Sequence, residues 1–191
     1  MTQTVPFSCK CGQITGTIPR AAGHIRCYCD SCRAAEIYLD QPDTNGEGIT
    51  VMRFAPQTVS FKTGQDKLAL MQVTPKGAYR WYASCCKTPM FSTATSPKLA
   101  YAALKGTAAV NRDDFGKELG FVYKPEPGGK VRHKGMGGMI TGVMGAALAA
   151  LVTGNWRKSP FFDANGAPVA VPELMPKDIR KKILAGFSTR Q

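Results

Sequence analysis

Three short clusters of cysteines constrain this chain more than any other feature of its sequence. Together they use all seven cysteines: Cys9 and Cys11, then Cys27, Cys29 and Cys32, then Cys85 and Cys86. The first residues lack a charged segment followed by an apolar run, so we expect no signal peptide and a cytoplasmic location. In a reducing compartment, closely spaced thiols are typical of metal ligands rather than of a disulfide framework. The clusters therefore predict one or two zinc ions per chain.

The second cluster predicts a zinc site with an open coordination position. A Cys29-x-x-Cys32 spacing lets a tight turn direct two sulfurs to one point, and Cys27 faces the same side of an extended strand as Cys29. Three protein ligands leave one position of a zinc tetrahedron free, as in catalytic sites. The alternative is a closed structural site, with His24, Asp30 or a cysteine from another cluster as the fourth ligand.

The first and third clusters predict a second, structural zinc site. Cys9 and Cys11 would supply two ligands near the N-terminus, and Cys86, with Cys85 as a further candidate, would come from a distant strand end. Such a site would contribute folding free energy through metal binding. The alternative is a set of buried free cysteines.

Short apolar runs separated by glycine and proline predict a mostly β domain from residue 1 to residue 123. A hydrophobic fraction of 43% and a charged fraction of 20% exclude an intrinsically disordered chain. We predict one short helix at 33–39. The predicted strands are 13–18, 24–27, 49–54, 59–63, 68–73, 78–83, 101–104 and 121–123.

A change in composition near Lys124 predicts a separate, partly helical appendage at 124–191. Its segment 135–156 contains no charged residue and has basic residues on both sides. Small residues recur at every fourth position, as in helices that pack closely. A membrane span, interfacial attachment, oligomerisation and packing on the chain's own domain are the alternatives. A second helix is predicted at 176–184, from Pro176 to a stop near Gly186.

The formal net charge of +12 favours an anionic partner. Nucleic acid, an acidic membrane surface and a small carboxylate substrate all satisfy this condition. Tyr28, Trp81 and Tyr82 could stack on bases, although aromatic residues in strands are more often core residues. The sequence carries no recognised nucleic-acid motif.

The three motifs in combination resemble those of the glutathione-dependent formaldehyde-activating enzymes and centromere protein V, as a bacterial branch of that family. The resemblance covers roughly residues 5 to 123. It is carried by Cys9-Lys-Cys11-Gly12, by Cys27-Tyr-Cys29-Asp-Ser-Cys32-Arg33 and by the strand that ends in Ser84-Cys85-Cys86-Lys87-Thr88-Pro89.

This resemblance implies an antiparallel β-tent related to the Mss4-like fold, with two zincs. Cys27, Cys29 and Cys32 match the ligands of the catalytic zinc, and Cys9, Cys11 and Cys86 match ligands of the structural zinc. The third motif departs from the family pattern in three ways. Ala83 stands at the first family cysteine, Lys87 stands at the glycine, and Cys85 is an additional cysteine that is a candidate for the missing ligand.

The function implied by the resemblance is carbon–sulfur lyase chemistry, in which glutathione condenses with formaldehyde to S-hydroxymethylglutathione. Arg26, Arg33 and Arg80 are candidate contacts for the substrate's carboxylates. His24 and Asp30 are the nearby acid–base candidates. The alternative is a non-enzymatic, zinc-stabilised module that binds nucleic acid or an acidic membrane surface. A homo-oligomer built through the uncharged segment is a further alternative.

Overall fold

The structure is a computed structural model that describes residues 3–44 and 46–188. Within these residues the chain forms twelve strands in two sheets, together with three α-helices. The fold is therefore mostly β with helices in the C-terminal part, as the sequence predicts. The outermost ends of the predicted domains, residues 1 and 191, lie outside the described residues.

The strands and helices have the following bounds. The strands are β1 (Thr4–Ser8), β2 (Thr15–Pro19), β3 (His24–Cys27), β4 (Ile49–Phe54), β5 (Ser60–Thr63), β6 (Leu68–Gln72), β7 (Tyr79–Ala83), β8 (Pro89–Thr93), β9 (Ala102–Lys105), β10 (Glu118–Pro125), β11 (Val131–Lys134) and β12 (Pro172–Leu174). The helices are α1 (Asp30–Tyr38), α2 (Met136–Thr153) and α3 (Lys177–Ser188).

The larger sheet has nine strands in the order β11-β10-β3-β4-β9-β8-β7-β6-β12, and the smaller has the order β1-β2-β5. Most neighbours are antiparallel, but β10 pairs with β3 and β12 pairs with β6 in parallel. These two parallel pairs depart from a purely antiparallel sheet. Each joins strands far apart in sequence, so the chain has the long connection that parallel pairing needs.

An aromatic core lies between the two sheets. The Phe7 ring of the small sheet meets Phe91 of the large sheet edge to face, at a centroid distance of 5.1 Å. Phe161, from the C-terminal part, is fully buried in this core, and its ring centroid lies 5.2 Å from that of Trp81. Strand aromatics such as Trp81 are therefore core residues here. This packing fastens the C-terminal part to the two-sheet unit.

Helices α1 and α3 cover the other face of β6. Leu70 of this strand packs in the aromatic core, whereas Met71 packs with α1 and α3 residues, because successive side chains in a strand point to opposite faces. The Arg33 guanidinium of α1 lies 3.9 Å from the ring centroid of Phe187 in α3. The C-terminal elements thus complete both the sheet and its helical layer, while β10 runs across the predicted boundary at residues 123 and 124.

The sequence misses four strands, β1, β8, β11 and β12, of which all but β11 contain proline. β1 has Pro6 within it but lies at the edge of its sheet, where a missing N–H is tolerated. β8 begins at Pro89, so its proline occupies the first position of the strand, and all five residues are buried. Proline here marks an edge and a start rather than a break.

The uncharged segment forms helix α2 despite its glycines. By length and composition this helix could cross a membrane, with a mean hydropathy of 1.7 over Met136–Thr153 and 11% of that window buried. Left-handed glycines, Gly135 and Gly154, stand at its two ends.

Candidate metal centres

The three thiols of the second cluster converge at the junction of β3 and α1. Cys27 ends the strand, Cys29 caps the N-terminus of the helix, and Cys32 lies in its first turn. The sulfurs of Cys27 and Cys29 are 3.3 Å apart, and all three lie within 4.8 Å of one another. A zinc tetrahedron with ~2.3 Å bonds has sulfur–sulfur edges of ~3.8 Å. The three-thiol centre is therefore able to hold a metal ion.

The start of α1 is set by the cysteine cluster itself. The Cys29 sulfur accepts a hydrogen bond from the Cys32 backbone N–H at 3.4 Å, in the position usually filled by a serine or aspartate oxygen. The helix consequently begins at Asp30 rather than at the predicted residue 33. This geometry places Cys29 and Cys32 on the same turn.

Positive charge surrounds the three-thiol centre on its buried side. Hydrogen bonds from the Cys27 and Cys29 thiols lower the pKa of Cys32, and the charges of Lys105 and Arg80 lower it further. The pKa of Cys27 is raised, chiefly because its thiol donates to its neighbours. Among the three thiols, Cys32 is therefore the one that most readily loses its proton.

Lys105 and Glu36 form a buried pair beside this centre. Their side chains are 2% and 4% exposed, and the Lys105 Nζ lies 3.4 Å from a Glu36 carboxylate oxygen. Burial raises the pKa of Glu36, and Lys105 opposes that shift. Arg80 is held by the hydroxyls of Ser92 and Ser31, at 2.9 and 3.3 Å. Both cations are thus fixed in position behind the sulfurs.

The three-thiol centre opens on its other side into a cleft of about 730 Å³. Cys27 and Cys29 lie in its wall, beside Asp30 and Arg33 of α1. The remaining lining comes from Tyr28, Thr44, Gly46, Gly48, Ile49, Tyr123, Phe187 and the stretch from Pro125 to Val131. This cleft is large enough for a small peptide-sized molecule.

The backbone is strained at the edge of this cleft. Tyr123 has a φ of 57°, which a bulky residue rarely adopts, at an irregularity in the pairing of β10 with β11. Gly48, with a φ of 74°, adopts its conformation without strain, but a Cβ there would lie 2.8 Å from the Tyr28 ring. Strain of this kind is often found at functional sites.

The other four cysteines form a four-thiol centre. The Cys11 and Cys85 sulfurs are 3.1 Å apart, those of Cys9 and Cys11 are 3.5 Å apart, and all four lie within 4.8 Å of one another. The Cys9 sulfur also accepts the Ile14 backbone N–H at 3.3 Å. Four thiols make a closed tetrahedral set, which is typical of structural zinc.

Cys85 and Cys86 both lie at the four-thiol centre, whereas Ala83 is buried in the core. The turn after β7 is closed by the Lys87 N–H donating to the Ala83 carbonyl at 2.8 Å, and it brings both Cys85 and Cys86 to the centre. Burial acts to raise the pKa of Cys86, but hydrogen bonds from Thr88 and from the Cys11 backbone outweigh it and lower the pKa to about 6. Adjacent cysteines can therefore both reach the site.

Lys87 occupies a backbone conformation that suits glycine. Its φ is 54°, and its ammonium lies 2.7 Å from Asp40 in an exposed pair. We expect Lys87→Gly to raise the midpoint of thermal unfolding by about 2–3 °C relative to Lys87→Ala, because only glycine removes the steric strain while both lose the ion pair. Calorimetry of the two zinc-loaded variants measures this difference. Equal unfolding midpoints for the two variants would show that the backbone at Lys87 is not strained.

The structure separates the other residues proposed from the sequence. Arg33 lines the cleft but makes a bidentate ion pair with Asp43, and Arg26 pairs with Glu118 at 2.8 Å. Arg80 lies behind the sulfurs. Asp30 lines the cleft, whereas the His24 ring packs against Phe115. Among residues 3–44 and 46–188, neither Asp30 nor His24 joins the three thiols as a ligand group.

Sequence reasoning missed Lys105 and Glu36 as parts of the site. Glu36 lies four residues after Cys32 on α1, so helical spacing places both on one face. Lys105 ends an otherwise apolar strand, all of whose residues are buried. A lone lysine in such a strand was the available signal.

Comparison with known proteins identifies the family and adds no function. No curated protein matches the chain. Residues 1–119 match the model of a family of unknown function, DUF6151, and this match includes both cysteine centres. The chain belongs to the DUF6151 family.

Proposed function

We propose that this protein is a zinc-dependent enzyme that makes or breaks a carbon–sulfur bond on a small thiol substrate. The reaction would resemble the condensation of glutathione with formaldehyde to S-hydroxymethylglutathione. The observation that carries the proposal is that Cys27 and Cys29 lie in the wall of a cleft of about 730 Å³. The two-sheet fold with cysteine clusters at strand ends supports the proposed relation to the Mss4-like β-tent.

The donor set fits zinc, with Cys27, Cys29 and Cys32 as ligands and the cleft side as the open position. When bound, zinc would hold a substrate thiol as its thiolate near neutral pH. Three thiolate ligands would give this centre a net negative charge, which weakens its attraction for a fourth. Lys105 and Arg80 offset that charge from the buried side.

The proposed reaction needs no oxidant or reductant. The substrate sulfur adds to the aldehyde carbon, a C–S bond forms, and the C=O double bond becomes a C–O single bond. The thiol proton ends on the new hydroxyl oxygen. The reverse reaction releases thiol and aldehyde. Asp30, which lines the cleft beside Cys29, is the candidate proton carrier.

The cleft offers cationic groups for a substrate with carboxylates. Lys130 lies in its lining, and Arg33 lies there in its pair with Asp43. Lys130 follows two left-handed glycines, Gly128 and Gly129, in the turn between β10 and β11. Glutathione has two carboxylates and one ammonium, so Lys130 could contact a carboxylate while Asp30 or Glu126 of the lining could contact the ammonium.

We expect Cys29→Ser to abolish glutathione-dependent consumption of formaldehyde beyond the spontaneous rate, a loss of at least about a hundredfold. Serine replaces the capping sulfur of α1 with an oxygen acceptor, so the helix should persist while the thiolate ligand is lost. The measurement is formaldehyde consumption with glutathione, alongside circular dichroism. Thr58→Ala, which removes an exposed hydroxyl outside the cleft, is the control variant and should keep full activity.

Turnover that is unchanged in folded Cys29→Ser would contradict catalysis at this centre. No acceleration by the zinc-loaded wild type would favour the non-catalytic, zinc-stabilised module instead. In that case glutathione should also fail to protect Cys27 and Cys29 from alkylation.

A further inference from the structure

Helix α2 has one side against the protein and one side in solvent. Ala147 and Ala150 are buried, and Gly142 lies so close to Arg53 that a Cβ there would meet the guanidinium at 2.7 Å. Met136 and Met139 pack against the apolar cluster around Cys27 and Cys32. Small residues therefore seat the helix along its own domain, and this docked position argues against a helix that stands across a bilayer.

The solvent side of α2 is apolar along its length. Its exposed large side chains are Ile140, Met144, Leu148, Leu151 and Val152, which are 50%, 60%, 64%, 46% and 80% exposed. A surface helix of a soluble domain normally presents polar residues on this side. A continuous exposed apolar face marks an interaction surface.

The hydroxyl groups on this helix are turned back to the helix itself. Thr141 donates to the carbonyls of Gly137 and Gly138, each at 3.2 Å, and Thr153 donates to Ala149 at 2.7 Å. Their hydrogen bonds are thus satisfied without water. This arrangement suits an environment that offers no hydrogen-bond partners.

Positive charge lies at both ends of the helix. The sequence has no aspartate or glutamate between Glu126 and Asp163, whereas Lys130, Arg132, Lys134, Arg157 and Lys158 fall within that stretch, and of these Arg132 pairs with Glu126 at 2.8 Å. At the C-terminal end, the Arg157 guanidinium and the Lys98 ammonium lie 4.3 and 5.9 Å from the Trp156 ring centroid. Tryptophan with basic neighbours is typical of the membrane–water interface.

We propose that α2 attaches this protein to the surface of an anionic phospholipid bilayer. The helix lies in the plane of the interface over about 27 Å, its solvent side enters the headgroup–acyl boundary, and the basic residues at its ends contact lipid phosphates. The charge at both ends distinguishes this occupant from a second copy of the chain, whose equally basic face would repel it.

The test is co-sedimentation of the full-length, zinc-loaded protein with vesicles. We expect binding to phosphatidylcholine vesicles that contain about one third phosphatidylglycerol, weak binding to pure phosphatidylcholine, and release by salt. Met144→Gln/Leu148→Gln should weaken binding at least about tenfold, and glutamine preserves helicity. Arg157→Gln/Lys158→Gln should weaken binding to the anionic vesicles by about tenfold at low salt.

Val110→Gln/Val171→Gln is the matched control, because these valines are 61% and 90% exposed but lie outside α2. It should bind vesicles like the wild type. Equal binding by the wild type and Met144→Gln/Leu148→Gln would overturn the proposal. So would a lipid-free dimer that this variant disperses, which would assign the face to a second copy. Binding that resists salt would overturn surface attachment in favour of insertion across the bilayer.

Discussion

Cys11→Ala is expected to leave the protein largely unfolded at physiological temperature, although the thiol it removes is exposed. An exposed cysteine that binds nothing contributes little to the free energy of unfolding. Its replacement by alanine normally changes that free energy by less than about 0.5 kcal/mol. As one of four metal ligands, however, Cys11 stabilises the fold through the bound metal. Structural zinc contributes about 10–16 kcal/mol in small zinc domains, comparable to the whole stability of a typical domain. Urea unfolding with and without added zinc measures the loss.

Ser84→Ala is the matched control for this prediction. It removes an exposed hydroxyl from the turn that carries Cys85 and Cys86, where Ser84 donates to the Lys67 carbonyl at 2.9 Å. Ser84→Ala should lower the free energy of unfolding by only about 1 kcal/mol. If Cys11→Ala is no more destabilising than Ser84→Ala, the four thiols are not a structural metal site.

The second large effect is expected at Lys105, behind the three-thiol centre. Lys105→Met should lower the free energy of unfolding by about 3–5 kcal/mol, because Glu36 then remains buried without its partner. It should also weaken zinc binding at the three-thiol centre. With zinc bound, three thiolates and Glu36 carry two negative charges in excess of the metal's two positive charges, and Lys105 and Arg80 supply two positive charges that balance them.

A double variant separates these two roles of Lys105. Lys105→Met/Glu36→Gln restores most of the stability of the metal-free protein, because no unpaired charge stays buried. It should not restore wild-type zinc affinity, because it lacks a cation next to Cys32. Competition with a colorimetric chelator measures that affinity. Wild-type affinity in the single variant Lys105→Met would mean that this charge does not act on the metal centre.

The sequence predicts the metal centres better than their surroundings, for a physical reason. Spacing within a motif is local, so the convergence of Cys27, Cys29 and Cys32 follows from one turn at the start of α1. The four-thiol centre joins Cys9 to Cys85 across most of the domain, so the sequence could propose that these clusters meet but not how many of their thiols take part. The turn at Lys87 brings Cys85 to this centre beside Cys86.

The cleft and the charges behind the sulfurs are products of tertiary structure. Lys105 reaches Glu36 only because β9 lies beside β4, which in turn pairs with β3 and its Cys27. The cleft needs the turn between β10 and β11 together with Phe187 of the last helix. No local sequence pattern reveals such tertiary contacts. For helix α2, the apolar composition was evident from the sequence, but the side of the helix that faces solvent was not.

Two independent metal centres are tested by the zinc content of protein purified without added metal, measured by elemental analysis of the wild type and of Cys29→Ser. We expect two zincs per chain in the wild type and one in the variant, because the four-thiol and three-thiol centres bind zinc independently. No zinc in the wild type, or two in Cys29→Ser, would contradict this expectation.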